Sequence, residues 1–255
     1  MHDRSLNLSE VFVPVSIAGL QNDDLVDLLG QLTRTYPISE VRPAIDAYED
    51  PIAMGSALNA LVRKLYRESK DVATMIAVGD MGLAYCLKKA QLESDEGKIR
   101  ELKKLGQVIG FNTAVNCWPG WADAGIVIEE AHMRAGAEIA GRCCELVQEL
   151  ALAPRERGGA HWLVGALELA LRRFSSARAA FERAEQIFLT DDATFPYALM
   201  ARGYIALVQK ADPQSQEVGA VLLDEALERL RAEGSKDAIF FAEQLTTADL
   251  VLIEK

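Results

Sequence analysis

The stretch from His161 to Phe188, HWLVGALELALRRFSSARAAFERAEQIF, constrains the fold more than any other. In its first half Trp162, Val164, Gly165, Ala166, Leu169 and Ala170 leave Glu168 as the one charge. A helix that is apolar all round must be covered all round. In the second half Ala177, Ala180, Phe181, Ala184, Ile187 and Phe188 recur at steps of three and four. Arg178, Glu182, Arg183, Glu185 and Gln186 fall between them, which describes a helix with one buried face. Ser175 stands where its hydroxyl can cap that second helix. The link is a few residues long, so the two helices run antiparallel.

The rest of the chain carries the same pattern. Half of its 255 residues are hydrophobic, with Ala and Leu abundant and β-branched residues sparse, which favours helix over sheet. Helix starts are expected at Asn22 to Asp24, Ser39, Asp50-Pro51, Asp71, Asp95, Asp191 or Asp192, and Ser235, where short polar side chains precede apolar periods. Trp121 to Ala135 and Glu138 to Leu152 read as a further pair, split near Gly136. Gly219, Leu223 and Ala226 repeat the spacing of Ala177, Phe181 and Ala184, an internal echo that points to repeats. About twelve helices are expected, against a base rate of mixed structure in ordinary domains. VFVPVSIAG, within the first twenty residues, reads as an extended arm lying over the first helices. The chain thus divides into an N-terminal arm and helical cap, 1–70, and a helical array, 71–255.

The central hairpin resembles a tetratricopeptide repeat. Gly165 stands at the family's small position, Phe174 at its aromatic after the turn, and Ala177, Phe181 and Ala184 at the small-aromatic-small series of its second helix. Trp162 is one place off the family's Trp, Glu168 replaces an aromatic, and no Pro closes the repeat where expected. The likeness covers about a ninth of the chain. It implies an all-α fold, with antiparallel hairpins stacked into a right-handed α-solenoid. It also implies a concave groove that binds a protein or peptide, or a second copy of the chain. Transferred to this sequence, the groove-lining first helices offer Trp162, Leu163, Ala166 and Leu169, then Leu199, Arg202 and Ile205. Arg202 is the one cation among them, which disfavours a clamp for a C-terminal carboxylate. An apolar groove, open or filled by the chain's own arm, fits better.

Function is bounded more by exclusion. A net charge of −11 opposes nucleic acid and anionic membranes. No apolar run reaches the ~20 residues of a membrane span, and the first residues lack the apolar core of a signal peptide, so a cytoplasmic protein is expected. Cys86, Cys117, Cys143 and Cys144 form no CxxC and read as reduced thiols. Glu129 and His132 form an ExxH, but no second motif faces it, since Gly158 stands three residues before His161. No metal, cofactor or catalytic residue is therefore assigned, and a non-enzymatic interaction module is the first expectation. The second is a small-ligand sensor. Trp118-Pro119-Gly120-Trp121 is the one aromatic cluster outside the repeats. Its two Trp either seal a junction between helix pairs, the favoured reading, or line a pocket with Trp162.

Overall fold

A computed structural model of the chain describes Leu20 and residues 22–252. The expected apolar arm lies outside the described residues. Eleven α-helices account for most of what is described, and no strand occurs there. They are α1 (Asn22–Thr35), α2 (Ile38–Asp46), α3 (Pro51–Lys64), α4 (Val72–Leu92), α5 (Glu96–Val115), α6 (Glu130–Glu149), α7 (Pro154–Ala170), α8 (Phe174–Phe188), α9 (Phe195–Ala211), α10 (Gln216–Glu233) and α11 (Lys236–Leu252).

Helices α3, α4, α5 and α11 start where short side-chain acceptors satisfy free amides. Asp50 accepts from the N–H groups of Ile52 and Ala53, each at 3.0 Å. Asp71 accepts from Thr74 at 3.0 Å, Asp95 from Lys98 at 2.8 Å, and the Ser235 hydroxyl from Ala238 at 3.2 Å. Two expectations are corrected. The second helix of the central hairpin begins at Phe174, so Ser175 lies inside its first turn instead of capping it. Arg172 takes a left-handed backbone, φ 59°, which closes the turn before the serine is reached. The pair expected between Trp121 and Leu152 is one helix, α6, preceded by a loop, which brings the count from about twelve to eleven. Gly136 is not a break. It sits in mid-helix, where an added Cβ would lie 2.6 Å from Cys117 Cβ. The chain leaves helix earlier, at Ala122, whose φ is 54°.

Each helix from α3 to α11 packs against the next. The odd-numbered helices also pack next but one, α1 on α3, α3 on α5, α5 on α7, α7 on α9 and α9 on α11, and so form one layer. One core runs through the array from Leu25 to Ala248. Close approach is built in at Gly165, where a Cβ would meet the Phe181 ring at 2.7 Å. The last helix closes the row on itself. Besides α9 and α10, α11 packs against the short 3-10 turn Pro119–Trp121 that follows α5. The ends of α5, α7, α9 and α11 therefore surround a common hollow.

Candidate ligand-binding cleft

Trp118 leaves α5 in an extended conformation and is fully buried. Its ring meets those of Trp121, Trp162 and Tyr204 edge-on, at centroid distances of 4.9, 5.6 and 5.9 Å. Edge-to-face contacts of this kind add to the burial of large rings. Trp121 is fixed separately, its indole N–H donating to the Val115 carbonyl at 2.8 Å. The loop after it is tied to the end of α3. Tyr66 donates to Asp123 at 2.7 Å, and the Lys70 ammonium donates to the Ala124 carbonyl at 2.6 Å. Trp118 is thus the sealing residue of the cluster, while Trp121 and Trp162 show one side to a cavity.

That cavity holds about 470 Å³, within the usual range of small-ligand sites, roughly 300–1,000 Å³. One face of α5 supplies Gln107, Val108, Phe111, Asn112 and Val115. The start of α7 supplies Arg155, Glu156, Gly159 and Trp162. Phe188, Tyr197 and Met200 come from α8 and α9, and Phe240, Phe241 and Gln244 from α11. Arg155, Glu156 and Phe240 are exposed, so the cavity opens to solvent at that rim. Trp121 and Val115 also border a second, more polar hollow of about 480 Å³ beside Tyr66, Arg67 and Lys70.

The polar groups of the cleft stand out because most of its wall is apolar. Gln107 is 5% exposed and Gln244 6%, yet neither side chain has a hydrogen-bond partner among the described residues. Oε1 of Gln244 and Nε1 of Trp162 are buried without a partner. Asn112 is held by its amide, which donates to Asn59 Oδ1 at 2.8 Å. The Arg155 guanidinium lies over the Tyr197 ring, 5.1 Å from its centroid, and no carboxylate among the described residues comes within ion-pair distance of it. The Tyr197 hydroxyl donates to Asp237 at 3.0 Å. Burial, and then that carboxylate, raise its pKa.

The residues assigned from the repeat resemblance are distributed differently. Trp162 lines the cleft. Leu163, Ala166, Leu169 and Leu199 are buried in the core, because α7 is covered by α5, α6, α8 and α9 together. Ile205 is half-buried, and Arg202 is exposed and paired with Glu185 at 2.6 Å. His132 serves the start of α6, its Nδ1 accepting from the Glu129 N–H at 3.2 Å. Among the described residues no three His, Cys, Asp or Glu gather as metal ligands. The four cysteines are unpaired. Burial pushes Cys86, Cys117 and Cys143 up to about 12 and Cys144 up to about 11.

Sequence reasoning missed Phe111, Arg155, Tyr197, Phe241 and the two glutamines. A signal existed for Gln244. It shares the apolar face of α11 with Phe241, Leu245 and Ala248, where a polar side chain is out of place. Comparison with protein-family models, curated proteins and solved structures returned no match to this chain. Among the described residues no helix is long and apolar enough to cross a membrane.

Proposed function

We propose that this protein is a non-catalytic binding domain whose cleft between α5, α7, α9 and α11 takes a small organic ligand. Gln107 and Gln244 carry the reading. Two carboxamides without partners, on different helices lining one mostly apolar cavity, with Oε1 of Gln244 fully buried, are what a ligand with polar atoms would satisfy. The packing of helices against the next and the next but one supports a tetratricopeptide-like array as the scaffold. Four unpaired thiols favour a reducing, cytoplasmic setting. The net charge supports partners other than nucleic acid or anionic membrane.

Gly159 provides the test, because only Phe111, at 4.0 Å, stands near an added Cβ. Gly159→Leu should fill the cleft without disturbing the core. In a thermal-shift screen of small molecules, compounds that raise the Tm of the wild type should lose their effect on Gly159→Leu. Equal shifts in both proteins, or no binder at all, would refute the reading.

A protein partner or self-association remains the second reading. It is favoured by Val218, Val221 and Leu222, which are exposed together on α10. Sedimentation of the wild type and of Val221→Asp tests it. A concentration-dependent dimer lost in the variant supports it, and a monomer in both excludes self-association.

A further inference from the structure

We propose, building on the cleft reading, that the ligand is an organic anion: a flat or apolar body held among Trp121, Trp162 and Phe241, with its negative group at Arg155. Among the described residues Arg155 is the one cation lining this cavity. Some arginines of the chain are matched to carboxylates, as in Arg142 with Asp80, Arg178 with Glu182 and Arg202 with Glu185, but Arg155 is not. At the rim of a mostly apolar cavity, a guanidinium with no carboxylate within ion-pair distance leaves its charge for a ligand to meet. Its guanidinium is oriented by the Tyr197 ring, and Asp237 is occupied by the Tyr197 hydroxyl instead of neutralising the charge.

The surroundings favour an anion over the alternatives. Aromatic walls alone would also suit a quaternary ammonium. Here the Tyr197 face is already covered by a cation, which repels a second one. Glu156 lines the same rim but is exposed, where water and salt screen it. The first turn of α7 adds the positive end of a long helix, and Ala153 offers it no side-chain cap. Deeper in, the amides of Gln107 and Gln244 provide N–H donors and carbonyl acceptors for polar atoms of the ligand body.

A matched pair of dyes tests this: 8-anilinonaphthalene-1-sulfonate and N-phenyl-1-naphthylamine, which differ by the sulfonate. Binding is read by dye fluorescence and by energy transfer from the cleft tryptophans, in the wild type, Arg155→Gln, Arg155→Lys and Gly159→Leu. A charge-assisted contact predicts that Arg155→Gln weakens the sulfonate dye about tenfold or more, that Arg155→Lys restores part of the loss, and that the neutral dye is unaffected. Gly159→Leu should abolish both. If Arg155→Gln weakens both dyes alike, or neither, the anion inference is overturned while the cleft reading stands. If Gly159→Leu leaves both dyes bound, or neither dye binds the wild type, the cleft reading fails with it.

Discussion

At the scale of single residues, the cleft holds polarity where stability alone would place none. A buried polar group without a partner costs about 1–3 kcal/mol, and Oε1 of Gln244 is in that position, while the Gln107 amide, also without a partner, is reached from the cavity. Gln107→Leu and Gln244→Leu keep the volume and remove the unmet amide. Gln244→Leu should raise unfolding stability by about 1 kcal/mol, Gln107→Leu by less, and both should weaken the ligand. Urea denaturation checks the first half, and a loss of stability would mean that the amides are already satisfied. His161 makes a pH-dependent case. It is partly buried on α7, with Cys144 Sγ 4.0 Å from its Nδ1. Burial, and then the nearby charge of Arg183, lower its pKa. The folded state therefore binds its proton less readily than the unfolded chain, whose histidine titrates near 6.5. The contribution is intact above that value and is lost as pH falls from it toward the lowered folded value. His161→Gln should remove this loss. Between pH 7.5 and 5.5 the urea midpoint of the wild type should drop further than that of the variant, and parallel drops would sink the assignment.

At the scale of elements, what the sequence made legible was local chemistry repeated at a fixed period. The hairpin of α7 and α8 follows from the all-round apolar run and the one-faced run beside it. The starts at Asp50, Asp71 and Asp95 follow from capping. Illegible was anything set by a distant neighbour. Gly136 reads as a break until Cys117 is seen to occupy the space of its missing side chain. Leu163 and Ala166 read as groove residues until α5, α6, α8 and α9 are seen to cover α7 from every side. Two other glycines separate soft contacts from hard ones. At Gly165 an added Cβ meets the Phe181 side chain at 2.7 Å, whereas at Gly219 it meets the backbone nitrogen of Lys210 at 2.1 Å. A ring can shift; a helix backbone moves only with its helix. Gly165→Ala should cost about 1–2 kcal/mol, partly offset by helix propensity. Gly219→Ala should cost more, about 3 kcal/mol, because α9 and α10 must separate. The ranking is checked by chemical denaturation, and a reversed order would refute the packing argument.

At the scale of the whole molecule, the consequential contact is the one that a linear stack of repeats lacks. In an open array each helix pair touches only its neighbours, and an end pair frays without effect on the middle. Here α11 returns to the Pro119–Trp121 turn, more than a hundred residues earlier in the chain, and Trp121 and Phe240 lie 6.4 Å apart, ring to ring. The cleft exists because of this closure, since α11 supplies a whole wall of it. Leu245 anchors the helix. It is fully buried and fills the space over Gly203 of α9, to which an added Cβ would stand 2.4 Å from its methyl. Leu245→Ala should cost about 2–5 kcal/mol and should loosen α11 before the rest. Hydrogen exchange then distinguishes two architectures. In an open stack the variant would exchange faster in α10 and α11 only. In the closed one, faster exchange should also appear in the Pro119–Trp121 turn, which is remote in sequence but packs on α11. Cleft-dependent binding and the emission of Trp121 should change with it, because the same closure that buries that loop also forms the site.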